Sequence, residues 1–293
     1  MIGPLVKSPQ HLPRRTALAP TRARRLENLV SHLVERLSAP FGLWRFKRLV
    51  VERRDIELRD LAPAFDGYRV VFLTDPHYSA AVPAWWIAQS VATALDLRPD
   101  LILLGGDYLS HSPRYAPGLT GLLRPLAAPD GVYGVLGNHD HYVGAELVRH
   151  SLSAAGLTEL RNASTLIRRG AATLAVAGVG DLRFDAIDFE AALQGVPAGV
   201  PRIVVSHDPD VFAFWPPNLR LDLMLSGHTH GGQAHLPFVG PPYVPSQFGF
   251  RYLAGAVREG ERQLYVSRGI GAITAPVRWG CPAELTLLVL HPS

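Results

Sequence analysis

Residues 69–107 read RVVFLTDPHYSAAVPAWWIAQSVATALDLRPDLILLGGD. Two apolar runs of strand length, Arg69–Thr74 and Leu101–Leu104, lie on either side of a segment with helical character, Pro83–Leu97. Pro83 suits the first position of a helix because its fixed φ is already helical. Apolar strands that alternate with helices are typical of an α/β fold whose strands are buried on both faces. We therefore predict an α/β fold from this segment.

The same alternation continues along the chain. A second helical segment is predicted over Ala145–Ala155, and the last third, Gln263–Leu290, has the pattern of strands separated by Gly and Pro turns. Two sheets packed against each other and flanked by helices would account for so many buried strands. The remaining predicted strands are Val132–Leu136, Thr173–Ala177, Ile203–Ser206 and Leu221–Leu225.

Five of these apolar runs end in residues that can bind metal ions. Ligands of open α/β sheets bind beyond the carboxyl ends of the strands. We therefore expect the five strand ends to deliver carboxylate, amide and imidazole groups to one edge of the fold. The motifs are Asp75-Pro76-His77, Gly105-Gly106-Asp107, Gly137-Asn138-His139-Asp140, Ser206-His207 and Gly227-His228-Thr229-His230.

The spacing within the motifs supports a metal site. In an extended chain residues i and i+2 point the same way, so Asp75 can converge with His77, and His228 with His230. Oxygen and imidazole donors without thiolate suit borderline divalent ions, here two ions of Mn, Fe or Zn. A single carboxylate shared between the two ions would offset their mutual repulsion.

Composition excludes several classes of protein. Hydrophobic residues make up 47% and charged residues 18% of the 293 residues, which is incompatible with a disordered tail protein. The single cysteine, Cys281, excludes an internal disulfide framework and a Cys-based zinc ribbon, and we expect it to be an inert small residue. No run approaches eighteen apolar residues, so we expect no helix that spans a bilayer.

Charge is distributed unevenly. Residues 1–54 hold 12 Lys and Arg against 3 Asp and Glu, whereas the remaining residues hold 17 against 22. We therefore divide the chain into a basic extension, 1–54, and a second domain, 55–293. The acidic balance of that domain counts against a nucleic-acid partner.

An amphipathic helix is predicted within the extension, over about residues 21–38, because its apolar residues follow a 3.6-residue period. Two interpretations stay open: the helix packs on the domain, which we favour, or residues 21–50 contact an anionic membrane. Arg14-Arg15 is not followed by the apolar region of an export signal. We therefore expect a cytoplasmic protein, with peripheral contact at the inner membrane face as the alternative.

The ordered motifs together resemble those of the calcineurin-like metallophosphoesterases, over about Arg69–Leu290. The resemblance implies a four-layer αββα sandwich with a dinuclear metal centre. By matching position it assigns Asp75, His77 and His230 to the first ion, and it makes Asp107 the bridging ligand. Asn138, His207 and His228 would hold the second ion. Pro76 departs from the usual Leu or Ile at its position, but it removes no ligand.

The resemblance also implies a reaction: hydrolysis of a phosphodiester or pyrophosphate by a hydroxide held between two ions, with Mn the expected metal. His139 would be the proton donor or the oxyanion partner, and Asp140 would orient it. The motif Gly227–Gln233, together with Gly269-Ile270-Gly271 and the segments around Arg278 and Glu284, resembles the YkuE/YaeI-type branch. That branch suggests a membrane-lipid substrate of the UDP-diacylglucosamine type. A binding or regulatory role, or a nuclease, remains the alternative.

Several residues near the motifs have less certain roles. Arg278 is a candidate substrate ligand because its planar guanidinium fits phosphate, although a structural role is about as well supported. Trp85 and Trp86 could reach a substrate, but we favour simple packing of the first helix. We expect His111, His141 and His235 to be bystanders, because they lack partners at ligand spacing.

Overall fold

The computed structural model describes residues 48–235, 237–273 and 277–293. Within these ranges the first half of the chain forms β1 (Leu49–Leu58), β2 (Tyr68–Leu73), α1 (Ala84–Asp96), β3 (Leu101–Leu104), α2 (Ala116–Leu123), β4 (Val132–Gly134), α3 (Asn138–Val143), α4 (Ala145–Ala154) and β5 (Thr158–Glu159). The second half forms β6 (Ala163–Arg169), β7 (Ala172–Gly178), α5 (Phe189–Ala192), β8 (Arg202–Val205), α6 (Val211–Phe214), β9 (Leu223–Ser226), β10 (Gly255–Glu259), β11 (Arg262–Val266) and β12 (Ala283–Pro292).

The strands form two six-stranded sheets. The first has the order β1-β12-β2-β3-β4-β5 and the second the order β10-β11-β9-β8-β7-β6. In the first sheet β2, β3, β4 and β5 run parallel, and β12 is antiparallel to β2. In the second sheet β7, β8, β9 and β11 run parallel. Both sheets therefore collect the carboxyl ends of several strands at one edge.

Alternate residues of each strand face different layers. Val71 and Leu73 pack with the helices α1, α2 and α4, whereas Val70 and Phe72 pack in the core between the two sheets. The outer face of the second sheet packs against residues of α5 and α6 in a third apolar cluster. The central strands β2, β3, β8 and β9 bury both of their faces, so the arrangement has four layers, αββα. This confirms the predicted fold.

Most of the predicted boundaries shift by one or two residues, and two differences bear on the fold. Helix α1 begins at Ala84, with Pro83 as its N-cap residue rather than its first helical residue. Strand β1 begins at Leu49 and pairs along its length with β12, so the sandwich starts before the boundary after residue 54. The helix predicted over 21–38 lies outside the described residues. None of the helices in the described ranges has the length and apolar character needed to cross a bilayer.

Candidate metal centre

The predicted ligands converge at the carboxyl edge of the two sheets. Each lies within a few residues after the end of a strand, and Asn138 is the first residue of α3, so the strands fix where its backbone begins. The seven side chains are all buried: Asp75 and His77 after β2, Asp107 after β3, Asn138 after β4, His207 after β8, and His228 and His230 after β9.

The first group consists of Asp75, His77 and His230, whose donor atoms lie close enough to hold one metal ion. Nε2 of His77 lies 3.0 Å from Nε2 of His230. Oδ1 of Asp75 lies 3.5 Å from the same His230 nitrogen. Because metal–nitrogen bonds are about 2.0–2.1 Å long, separations near 3 Å are those expected of two atoms on one ion.

The second group consists of Asp107, His207 and His228, with Asn138 beside it. Nε2 of His207 lies 3.2 Å from Oδ2 of Asp107 and 3.2 Å from Oδ1 of Asn138. Nδ1 of His228 lies 3.1 Å from that same His207 nitrogen. These four donors match the set that the resemblance assigns to the second ion and its bridge.

Backbone carbonyls test whether a cation fits between the histidines. The Gly105 carbonyl lies 2.7 Å from Nδ1 of His207, and the Pro245 carbonyl lies 3.0 Å from Nε2 of His228. A carbonyl can only accept, so each of these nitrogens carries a proton. The opposite nitrogens, Nε2 of His207 and Nδ1 of His228, lie 3.1 Å apart, so a proton or a bound cation must lie between them. Despite burial, the neighbouring carboxylates raise the pKa of His207 well above its usual range, so His207 can carry that proton and a metal ion would replace it.

Backbone conformation sets the ligands apart from the rest of the fold. Within the described residues ten non-glycine positions have positive φ, and half of them are predicted ligands. Left-handed backbone costs about 1–3 kcal/mol at such positions, so the surrounding structure must hold it in place. The ligands concerned are Asp75, His77, Asp107, His228 and His230.

Two glycines provide the space that these ligands occupy. A Cβ atom at Gly227 would collide with the Asp75 carboxylate, and one at Gly137 would collide with the Asp107 carboxylate. Neither glycine needs positive φ. Their role is therefore to let the backbone approach the carboxylates closely.

Burial and mutual charge shift the titration of the centre. Burial holds the pKa of His77, His228 and His230 well below its usual range, which favours the neutral form that binds metals. Burial raises the pKa of Asp75 to about 6. Burial also opposes ionisation of Asp107, but His207 and the neighbouring imidazoles outweigh it, and the pKa of this carboxyl lies well below its usual range.

His139 lies at the mouth of the centre and is only partly buried. Its Nδ1 lies 2.9 Å from the Ser110 carbonyl, so Nδ1 donates and Nε2 is left for a substrate. Its backbone N–H donates to Asp107 at 2.8 Å, which ties the position of His139 to the bridging carboxylate.

Asp140 does not have the role that we predicted for it. Its carboxylate accepts hydrogen bonds from the backbone N–H groups of Tyr108, Leu109 and Gly137, so the Ser110 carbonyl, rather than Asp140, orients His139. Asp140 therefore joins the loop that carries Asp107 to the loop that carries Asn138. Burial, reinforced by Asp107, raises its pKa well above the usual range.

Arg278 lies behind the first group rather than in front of it. Its guanidinium donates to the carbonyls of Gly271 at 2.6 Å and Arg268 at 2.6 Å. Nη2 also lies 3.3 Å from Nδ1 of His230. The structure thus engages this side chain in positioning His230, and a substrate contact of Arg278 stays a prediction. Cys281 is buried against the His230 carbonyl, consistent with a small packing residue.

The predicted bystanders have structural partners. His235 contacts the Gly231 carbonyl at 2.7 Å, and His141 stacks on Phe184. The ring of His111 packs edge-on against His139, closer to the centre than we expected. Trp86 donates to the Ile270 carbonyl at 2.8 Å, which confirms a packing role for that residue.

Sequence reasoning missed two neighbours of His228. Nη2 of Arg183 lies 3.2 Å from Nε2 of His228, and Oδ2 of Asp208 lies 3.8 Å from the same atom. Burial raises the pKa of Asp208 to about 7. Asp208 directly follows His207, and that adjacency is the one sequence signal that could have found it; Arg183 lies in a loop with no motif.

The αββα sandwich, with buried Asp, Asn and His donors at its carboxyl edge, defines a metal-dependent hydrolase. Residues 68–232 match the family described as calcineurin-like phosphoesterase, and the chain belongs to that family. It is 38% identical over 230 residues to phosphodiesterase YaeI of Escherichia coli, covering 76% of this chain and 82% of that protein. It is 33% identical over 233 residues to the uncharacterized metallophosphoesterase YkuE of Bacillus subtilis, covering 78% and 81%. These relatives confirm the predicted branch.

Proposed function

We propose that this protein hydrolyses a phosphodiester or pyrophosphate bond with two divalent ions, and that manganese is the metal. The ligand set would be Asp75, His77 and His230 for one ion and Asn138, His207 and His228 for the other. When bound, the ions supply positive charge to the phosphate and activate water for attack. The name phosphodiesterase given to the YaeI relative supports this reaction class.

The position of Asp107 is the observation that carries the proposal. Its Oδ2 lies 3.5 Å from Nε2 of His77 in the first group and 3.2 Å from Nε2 of His207 in the second. One carboxylate oxygen thus faces a histidine of each group, as a ligand shared by two ions must. The other oxygen, Oδ1, accepts from the backbone N–H of His139.

The protein's own groups would complete the reaction. Phosphoryl transfer needs mainly positioning and charge neutralisation, so rigid loops at the strand ends suit it. His139 would hold a proton on Nε2 and give it to the leaving oxygen, because the Ser110 carbonyl already occupies Nδ1. Arg183, which is exposed beside His228 and donates from Nη2 to the Pro245 carbonyl, would face the substrate phosphate with its other N–H groups.

A direct test is hydrolysis of bis(p-nitrophenyl) phosphate by the manganese-loaded protein. We expect turnover of this diester, faster than that of p-nitrophenyl phosphate, and loss of turnover on chelation. A loaded protein that cleaves neither compound would favour the binding or regulatory alternative. Faster cleavage of single-stranded DNA or RNA than of every small ester would favour the nuclease.

The substrate proposal is finer still: a membrane lipid that carries a pyrophosphate, of the UDP-diacylglucosamine type. We also propose a cytoplasmic protein at the inner membrane face. The basic extension, residues 1–54, supports both ideas because polybasic segments are attracted to anionic lipid surfaces. A panel of soluble diesters, nucleotide sugars and nucleotide-sugar lipids, assayed with defined metals, would identify the preferred class; a soluble diester that outperforms the lipids contradicts the lipid substrate.

A further inference from the structure

Exposed apolar side chains are concentrated beside the metal centre. Of the eight large hydrophobic residues that are exposed in the described ranges, five lie in the two segments next to the His228–Gly232 motif. We call these five the aromatic rim: Phe238, Val239, Tyr243, Phe250 and Trp279. Phe238 is fully exposed, and Val239 and Tyr243 are each 72% exposed. Single exposed apolar residues are ordinary, but such a concentration marks an interaction surface.

The loop that carries the rim is anchored to the centre on its polar side. The His235 amide donates to the Trp279 carbonyl at 2.8 Å, and the Pro245 carbonyl contacts His228. Farther along, Ser246 donates to Asp210 at 2.6 Å. The polar groups of the loop are therefore used internally, and its apolar side chains are left outside.

The sequence of this loop contains no charge. Residues 233–250 read QAHLPFVGPPYVPSQFGF, with no Asp, Glu, Lys or Arg among them. Surface loops are normally polar. Burying a large apolar side chain stabilises a protein by about 1.5–3 kcal/mol, and each exposed side chain of the rim lacks that stabilisation. An uncharged apolar tip can enter the headgroup region of a bilayer without dehydrating an ion, and Trp and Tyr are enriched at that depth.

The basic extension joins the fold at the same edge. Leu49 pairs with Ala283 in β12, four residues after Trp279. Because β12 runs antiparallel to β2, its first residues lie at the end of the sheet from which Asp75 and His77 emerge. Residues 1–48 carry ten Lys and Arg against two Asp and Glu. The described part of the chain thus begins at the edge that carries the rim, and the sequence before it is basic, so an anionic surface complements both features.

We propose that the aromatic rim inserts into the interface of an anionic lipid bilayer and so sets the metal centre against the membrane. The bilayer matches both features, since the rim offers apolar area and the neighbouring extension offers positive charge. This surface is a binding site in its own right: it does not depend on which phosphoester the centre cleaves, or on whether the centre is active.

Vesicle flotation of the full chain tests the proposal. We expect wild type to float with vesicles of phosphatidylcholine and phosphatidylglycerol, and weakly with phosphatidylcholine alone. The variant Phe238→Ser/Val239→Ser/Trp279→Ser should bind the anionic vesicles at least about tenfold more weakly, because the side chains that enter the bilayer are gone. Leu147→Ser, an exposed apolar residue on α4, is the matched control and should float like wild type.

Metal content and turnover of bis(p-nitrophenyl) phosphate should be unchanged in the rim variant, which shows that it is folded. The proposal is overturned if the folded rim variant floats as well as wild type, since the extension alone then accounts for binding. It is also overturned if wild type does not float with either vesicle, because the rim would then serve another partner.

Discussion

The carboxylates at the two edges of the sandwich have different kinds of partners. At the amino edge, where β2, β3 and β6 meet, Asp100 accepts from the backbone of Arg69 at 2.8 Å and from the guanidinium of Arg169 at 2.7 Å. Asp130 accepts from Tyr68 at 2.7 Å and also faces Arg169. Each acid at this edge is matched by a donor or a cation that the chain itself supplies.

At the carboxyl edge the buried acids face one another and three imidazoles that burial keeps neutral, while the neighbouring carboxylates raise the pKa of the fourth, His207, well above its usual range despite its burial. Burial, reinforced by Asp107, raises the pKa of Asp75, and burial keeps His77 uncharged. The guanidinium nearest to the first group, Arg278, is largely engaged by backbone carbonyls. Buried charge without full compensation is costly, so this edge favours the binding of cations from solution. At the amino edge the chain's own donors and cations satisfy the carboxylates, whereas at the carboxyl edge the carboxylates are arranged to bind metal ions.

The largest effect on this contrast should come from Asp107→Ala. Removing the carboxylate between the two groups should empty the centre and reduce turnover of bis(p-nitrophenyl) phosphate by at least about a thousandfold. Elemental analysis of the purified variant measures the metal, and the diester assay measures turnover. A variant that keeps two ions per chain would show that Asp107 is not the shared ligand.

His139→Ala should have the next largest effect. The side chain is at the mouth and binds no ion in our assignment, so metal content should be unchanged while turnover falls by about a hundredfold or more, the scale of a lost general acid. His150→Ala, an exposed histidine on α4, is the control and should behave like wild type. Loss of metal equal to that of Asp107→Ala would mean that His139 is a ligand.

The centre could be predicted from the sequence because its determinants are local. Each ligand directly follows an apolar run, and the pairs Asp75/His77 and His228/His230 are set by spacing of two residues. What could not be predicted depends on distant partners. Asp140 bonds to the backbone of Tyr108 and Leu109, which no side-chain pattern reveals.

The start of the sandwich was missed for a related reason. Strand β1 contains Glu52, Arg53, Arg54 and Asp55, so its composition is that of the basic extension rather than of a buried strand. It lies at the edge of its sheet, where charged side chains face solvent, and its partner β12 is at the far end of the chain. The pairing that defines it is invisible to local periodicity.

Arg278→Lys tests whether Arg278 holds His230 in place in the first group of ligands. A lysine cannot reproduce the fork that reaches the carbonyls of Gly271, Gly269 and Arg268, so His230 should be held less firmly. We expect metal affinity, measured by competition with a chelator, to fall about 10–100-fold. Turnover and KM should recover at saturating metal. A raised KM that persists at saturating metal would instead indicate that Arg278 contacts the substrate.

The smallest effect should come from the amino edge, through Asp100→Ala. The variant removes the acceptor of the Arg69 amide and one of the two carboxylates that face the Arg169 guanidinium, which should cost about 1–2 kcal/mol in the free energy of unfolding. Urea denaturation measures the loss. Metal content and diester turnover should not change, because the acid lies at the opposite end of β2 and β3 from the centre. If Asp100→Ala lost metal, the two edges would be coupled through the sheet. The claim that the amino edge contributes to stability and not to metal binding would then be wrong.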